Sequence, residues 1–401
     1  MTSNSLFIPR TGETWRDPFE MYKTLRDHDP VHRVEDNGDG QDYWVLSRFE
    51  DVFRAAVDAS GFSSAQGLTI QYGEMEKIGL ESPIVMMDPP DHTSLRKLVI
   101  KRFTPMQVEA LRPMLREFVV ERLEKIRADG GGDIVARLLK PLPSLVVAHF
   151  LGVPPEDREL FDRWTEATVA GSSSGDILTA ADTVGEMVAY FSKLIELRRT
   201  EPGEDVISAL VHQRLNSGAE VSPAQILGMG FTMVTGGNDT TTGLLGGTLQ
   251  LLTEHPEQRE KLRADPSLIP AAVEEFLRLT SPVQGLARTA TRDVDFGDRV
   301  IPAGRKVLLL YASANRDERE FGEGSANCDV TRPIRRHLAL SYGPHYCIGA
   351  AAAKMQAKIV VEELLARCPN FSVDGSAGRF APGNYVRRYE SLPFEADRTA
   401  R

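Results

Sequence analysis

A chain of 401 residues, 41% hydrophobic, is long enough for one large domain with a sizeable core, and residues 1–401 are read as a single domain. A net charge of −10 excludes a general nucleic-acid binder, and three cysteines without paired spacing exclude a disulfide framework, which fits a reducing cytoplasm. Met1 to Arg16 carries early charges and no apolar core, so no secretory signal is read there.

Helical periodicity dominates the chain. A first helix is predicted over Asp17–Asp29, then a hairpin over Val31–Leu46 turning at Asn37-Gly38-Asp39-Gly40, then a second helix over Phe49–Asp58. Ser63–Met87 is a long connection with little regular pattern, a type that is often functional. Further helices are expected over Thr104–Asp129, Pro143–Leu151, Pro155–Ala170 and Leu178–Thr200, with Gly171-Ser172-Ser173-Ser174-Gly175 as a flexible break. Val221–Thr253 carries a single charge, Asp239. A carboxylate at mid-span would cost about 2.5–3.5 kcal/mol on insertion, so this is read as a long buried helix and not a membrane span. Ser222-Pro223-Ala224-Gln225 supplies a capping box with proline at the first position, and the helix should run nearly 50 Å at about 1.5 Å per residue. Pro266–Leu279 is another helix, and Ala287–Thr291, Val300–Ile301 and Lys306–Leu310 are short strands of a small sheet. A last helix opens at Ala350 and runs to about Arg367.

Two stretches carry chemistry. Gly343, His345, Cys347 and Gly349 lie within seven residues at the start of that last helix, where unpaired N–H groups and the macrodipole favour a thiolate. Glycines on both sides admit the backbone to a flat cofactor, as an axial thiolate of haem iron requires. Two other readings of Cys347 stand beside this one: a small core hydrophobe, the common fate of a free cysteine, or a nucleophile paired with His345. The second stretch is Thr235-Gly236-Gly237-Asn238-Asp239-Thr240-Thr241, midway along the long helix. Consecutive glycines each cost roughly 1 kcal/mol against alanine inside a helix, so something flat or bulky should touch its surface there. An acid beside an alcohol is a plausible proton-delivery pair, Asp239 relaying from solvent and Thr240 donating to reduced dioxygen. The alternative is a packing groove with a capping aspartate.

The segment Leu340-Ser341-Tyr342-Gly343-Pro344-His345-Tyr346-Cys347-Ile348-Gly349 resembles the cysteine-loop signature of the cytochromes P-450, Phe-x-x-Gly-x-His/Arg-x-Cys-x-Gly. Gly236 to Thr241 is similar to that family's oxygen-activation motif. Glu275-Phe276-Leu277-Arg278 resembles its Glu-x-x-Arg, and the resemblance makes Arg332 the third member of a fold-supporting ion-pair group. His92 and Arg96, four apart on one helical face, look like its propionate clamp, with Arg288 and His345 as further clamps. The wording around Phe62–Thr69, Met233–Thr240 and Ser281–Arg288 is similar to an actinobacterial branch, the mycobacterial cytochrome P-450 family 130. Leu340 departs from the signature's phenylalanine, and Lys354 replaces the usual arginine while keeping its charge.

The resemblance implies a mainly α fold with a small β-rich region, and haem b between the long helix and the cysteine loop, with Cys347 as the iron's axial ligand. Gly236, Gly237, Gly343 and Gly349 should lie against the cofactor. The implied activity is a monooxygenase that inserts one atom of dioxygen into a hydrophobic small molecule. The pocket walls are expected from Gly67, Leu68, Thr69, Ile70 and Tyr72, from the break near Gly171, and from Val283, Gln284 and Leu286. No Gly-x-Gly-x-x-Gly follows a strand and no cysteine cluster exists for an iron–sulfur centre, so electrons should come from a separate ferredoxin with its reductase. Lys97, Lys101, Arg102, Arg335, Arg336 and Lys354 form the basic patch expected to receive it. A rival from another class is a haem-thiolate sensor or ligand carrier without turnover, which would not need the Asp239–Thr240 pair.

Overall fold

In the computed structural model, residues 6–36, 41–78, 81–165 and 181–396 are described. The predicted turn at Asn37–Gly40 and the break at Gly171–Gly175 lie outside them. The helices that position the site are α1 (Phe19–His28), α2 (Phe49–Val57), α3 (Asp91–Val99), α4 (Arg112–Ala128), α5 (Pro141–Leu151), α6 (Ala181–Thr200), α7 (Pro223–Glu254), α8 (Pro256–Ala264), α9 (Ile269–Thr280) and α10 (Ala350–Arg367).

Helix α7 crosses the molecule, 32 residues or about 48 Å long. It starts where the capping signal said it would: Ser222 Oγ accepts the Gln225 N–H and the Gln225 side chain returns to the Ser222 backbone. From Asn238 to Leu249 nearly every residue is buried, because α5, α9, α10 and the strands near the C-terminus surround it. That enclosure explains its uncharged sequence. Among the described residues no helix is long and apolar enough to cross a membrane.

A five-stranded sheet stands to one side. Strands β1 (Val31–Val34), β2 (Tyr43–Leu46), β3 (Phe62–Ser63), β4 (Leu286–Ala290) and β5 (Lys306–Leu309) lie in the order β1-β2-β5-β4-β3. β2 and β5 are parallel and the other pairs antiparallel. Strand β4 delivers Arg288 to the interior beside α3 and the cysteine loop.

The helices expected over Thr104–Asp129 are Pro105–Glu109 and α4, divided where Pro113 has no N–H to donate to Glu109. The structure adds elements at two places. Ser63–Met87 holds a short helix, Glu74–Ile78, and a 3-10 turn, Ile84–Met86. Helix α8 was not read from the sequence, although Pro256 at its start, Glu257 in its first turn and Lys261 and Arg263 in its last are helix signals; the short strands from Ser372 to Glu395 were not read either.

Candidate functional site

A cavity of about 230 Å³ lies between α7 on one side and the cysteine loop and the start of α10 on the other. Helices α3 and α5 and strand β4 close it.

On the loop wall, the Cys347 N–H donates to the Leu340 carbonyl at 2.9 Å, which fixes the turn that carries the sulfur into the cavity. Burial pushes the thiol up from its ordinary value, while the Gly349 amide, Arg96 and Lys354 all favour the thiolate. A Cβ on Gly349 would touch the Cys347 sulfur at 4.0 Å. Gly343 has a different reason for being glycine. It lies outside the cavity with φ +67°, and a Cβ would meet the Ala56 carbonyl and Val57 Cα at 3.0 Å, so it lets the loop approach the end of α2. The expectation that it flanks the cofactor gives way to that packing role.

Four groups able to carry positive charge converge on one rim: His92, Arg96, Arg288 and His345. The imidazoles of His92 and His345 lie against each other at a tilt, centroids 4.2 Å apart, and Ser64 Oγ lies 3.1 Å from His345 Nε2. Burial and the neighbouring guanidiniums hold both rings neutral, His92 down to about 4 and His345 down to about 3. Among the described residues, neither Arg96 nor Arg288 has a carboxylate partner. Arg96 donates to the Tyr346 carbonyl at 2.5 Å, and buried Arg288 donates only to its own neighbour, the Ala287 carbonyl. His92 Nδ1 is buried with no partner among the described residues. A buried guanidinium, a half-buried one and a buried ring nitrogen, none with a carboxylate partner among the described residues, call for an anionic guest at this rim. A flat cofactor with two carboxylates would fit these residues, with Cys347 able to ligate its metal.

On the α7 wall, Met229, Thr232, Met233 and Gly236 line the cavity at the spacing of one helical face. The two glycines divide the work. A Cβ on Gly236 would enter open space, so this position keeps the cavity clear; a Cβ on Gly237 would meet Val147 Cγ2 at 2.7 Å, so this one lets α5 pack close. Thr240 continues the Gly236 face one turn on, but its side chain does not reach the lining; its hydroxyl donates back to the Gly236 carbonyl at 2.8 Å. Thr241 lines the cavity instead. Asp239 points to the side, where Arg388 Nε bonds its Oδ1 at 2.7 Å.

Of the expected pocket residues, Leu68 and Leu286 line the cavity. The others turn elsewhere for physical reasons. Thr69 donates to Glu74, and the Tyr72 hydroxyl donates to the Asp42 carbonyl. Gln284 is held by Tyr22 and by the Thr280 and Ser281 carbonyls. Ile70 sits in the core against the sheet, and Val283 pairs with Val386. Gly67 has φ +99° and a Cβ there would run into the Glu74 side chain. The apolar wall is built by residues not singled out from sequence, Phe103, Val146, Val147 and Phe150 with Met229 and Met233. The stripe Pro143, Val146, Val147 and Phe150 has the i, i+3, i+4, i+7 spacing of any core-facing helix, so nothing marked it as a pocket wall.

Glu275, Arg278 and Arg332 come together away from the cavity. Arg278 grips Glu275 with two prongs at 2.7 and 2.8 Å, both side chains fully buried, and Arg332 Nε reaches Glu275 at 3.2 Å. On the outer side of the cysteine loop the basic patch is smaller than expected. Arg336 is paired with Glu320 and stacked on Phe49 and Phe53, and Lys354 bonds Glu274 at 2.8 Å. Lys97, Lys101, Arg102 and Arg335 have no ion pair among the described residues, and all but the half-buried Arg102 are exposed.

Residues 179–377 match the family model for Cytochrome P450. The chain is 59% identical over 389 residues to Cytochrome P450 130 of Mycobacterium tuberculosis, covering 96% of each chain. It is 35% identical to the vitamin D(3) 25-hydroxylase of Pseudonocardia autotrophica, over 90% of this chain and 89% of that protein. Among solved structures, the polyketide synthase cytochrome P450 PksS of Bacillus subtilis 168 superposes with a TM-score of 0.88 at 31% identity, covering 98% of this chain and all of that one.

Proposed function

The chain belongs to the cytochrome P450 family of haem-thiolate monooxygenases, and from that premise we propose that it oxidises a hydrophobic small molecule at this cavity with electrons from a separate ferredoxin and its reductase. The observation that carries the reading is the pairing of walls: a thiol and an anion-seeking rim face a glycine–threonine stripe across one apolar space.

Haem b, the cofactor of the family, supplies the redox chemistry that lets dioxygen give one atom to substrate and one to water. In this reading the Cys347 thiolate would ligate its iron, and Arg96 and Arg288, with His92 and His345, would hold its carboxylates. Each charge-assisted bond at the rim is worth roughly 1.5–3 kcal/mol. The double variant Arg96→Leu, Arg288→Leu is therefore expected to fold but to lose haem on gel filtration and dilution, where the wild type keeps it. Full retention in the double variant would remove the rim from the cofactor site.

Phe103, Phe150, Val146 and Met233 exclude water and favour an uncharged ligand, and the related vitamin D(3) 25-hydroxylase supports the same class. Thr240 holds a proton on Oγ1, now shared with the Gly236 carbonyl, and swinging away from that carbonyl would present it to reduced dioxygen. Asp239 replaces that proton from solvent. General acid delivery is worth ~10²–10⁴-fold. Thr240→Ala is expected to bind substrate and consume reductant but to release hydrogen peroxide in place of product. Thr241→Ala is the necessary comparison, because Thr241 lines the cavity. Normal product per reductant in Thr240→Ala with uncoupling in Thr241→Ala would transfer the role to Thr241. Normal product per reductant in both would leave neither hydroxyl alone as the proton donor. For the electron donor, exposed Lys97, Lys101 and Arg335 support an acidic partner steered by charge.

A further inference from the structure

Helix α7 carries three more glycines beyond Asp239, and two of them, Gly243 and Gly246, face the strand segment near the C-terminus. A Cβ on Gly243 would meet the Arg387 carbonyl at 2.7 Å and Arg388 Cβ at 3.3 Å, and one on Gly246 would meet the Tyr389 ring at 3.4 Å. Their bare surface lets residues 385–389 lie directly on the helix, one turn from Asp239. The segment is fixed from its other side. The Gln284 N–H donates to the Tyr385 carbonyl and the Arg387 N–H to the Pro282 carbonyl, each at 2.8 Å, and the Ala381 N–H donates to the Arg388 carbonyl at 3.0 Å. Arg388 thus has a defined origin, and its Nε reaches Asp239 Oδ1 at 2.7 Å with both side chains about nine-tenths buried.

We propose that Arg388 is a positioning residue for Asp239, holding the carboxylate at the edge of the cavity-facing stripe so that the pair must open before a proton passes toward Thr240. The inference rests on reading Asp239 as the acid of proton delivery. The proton leaves the Asp239 carboxyl for the Thr240 hydroxyl, which gives up its own on the cavity side, and solvent restores the carboxyl; no electron moves in these steps. Thr240 lies next in sequence, about 100° around the helix, so a carboxylate released from Arg388 has a short path to it. The charged groups that face Asp239 are Arg388 and, more weakly, Lys140 at the start of α5. Burial raises the carboxyl and these two cations lower it, so Arg388 sets how much of the acid is ionised at rest.

The carboxyl C=O infrared band of Asp239, assigned by its loss in Asp239→Asn, reports this in the haem-loaded full chain without any substrate. Losing an adjacent guanidinium should raise a carboxyl by about 1–3 pH units. The expected result is a titration midpoint that moves up by that amount in Arg388→Leu and returns toward wild type in Arg388→Lys. The pH profile of NADPH oxidation, with ferredoxin and reductase, should move in the same direction. Thermal unfolding of each variant confirms that it is folded. An unmoved midpoint overturns the proposal, as does a moved midpoint with an unmoved pH profile, because the pair would then be only structural. Asp239→Asn separates the two levels: if it leaves the rate and profile of NADPH oxidation unchanged, the acid reading of Asp239 fails, whatever the band does.

Discussion

Arg278→Leu is expected to destabilise the protein by about 3–5 kcal/mol, a large part of the stability of an ordinary domain. Arg278 and Glu275 are both fully buried, and the two-pronged contact is the guanidinium's main counter-charge. Its remaining nitrogen donates to the Asn315 carbonyl at 2.7 Å and the Ser325 carbonyl at 2.6 Å. Removing the arginine strands a carboxylate in the core and leaves two carbonyls without a donor. Arg332, at 3.2 Å from Glu275 and partly exposed, offsets only a share of that charge. The damage should reach the cofactor, because the Asn315 side chain accepts the Leu338 N–H at 2.7 Å and so tethers the chain just before the cysteine loop. Denaturant unfolding checks this through the shift in midpoint. The double variant Glu275→Leu, Arg278→Leu should be more stable than Arg278→Leu alone, since it buries no uncompensated charge. Arg278→Lys should fall between, keeping charge but losing the fork. A wild-type midpoint in Arg278→Leu would mean that the burial of this pair carries no energetic weight.

How much of this was legible in the sequence differs from element to element. Helix α7 could be read to the residue at its start because Ser222, Pro223 and Gln225 specify a cap by local hydrogen bonding alone. The α10 bounds at Ala350 and Arg367 were also read, although no side-chain cap marks its start. The convergence of His92, Arg96, Arg288 and His345 was reached only through family resemblance, since nothing in the spacing of residues 92 and 288 says that α3 and β4 meet. The cavity's apolar wall was not legible. Pro143, Val146, Val147 and Phe150 obey the rule of a core stripe, and whether such a stripe meets another side chain or an empty space is decided by tertiary packing. The same limit displaced Gln284 and Tyr72, correctly placed near the site along the chain but turned to backbone partners. Gly343 was legible as a glycine that something needs, though the need is the carbonyl of Ala56. Arg388 had no sequence signal at all, because one of two adjacent arginines just before a three-residue strand resembles any surface arginine until Gly243 brings it onto α7.

The central assignment is Cys347 as the axial thiolate, and it has a direct spectroscopic test. Cys328 and Cys368 are buried in the core, and burial pushes the Cys328 thiol up to about 12, whereas Cys347 alone of the three opens into the cavity. Haem-loaded protein, reduced and exposed to carbon monoxide, should show the strongly red-shifted Soret band of thiolate ligation. Cys347→His should lose that band, while Cys328→Ser and Cys368→Ser keep it. Retention of the red-shifted band in Cys347→His, or its absence from the wild type, would contradict the assignment.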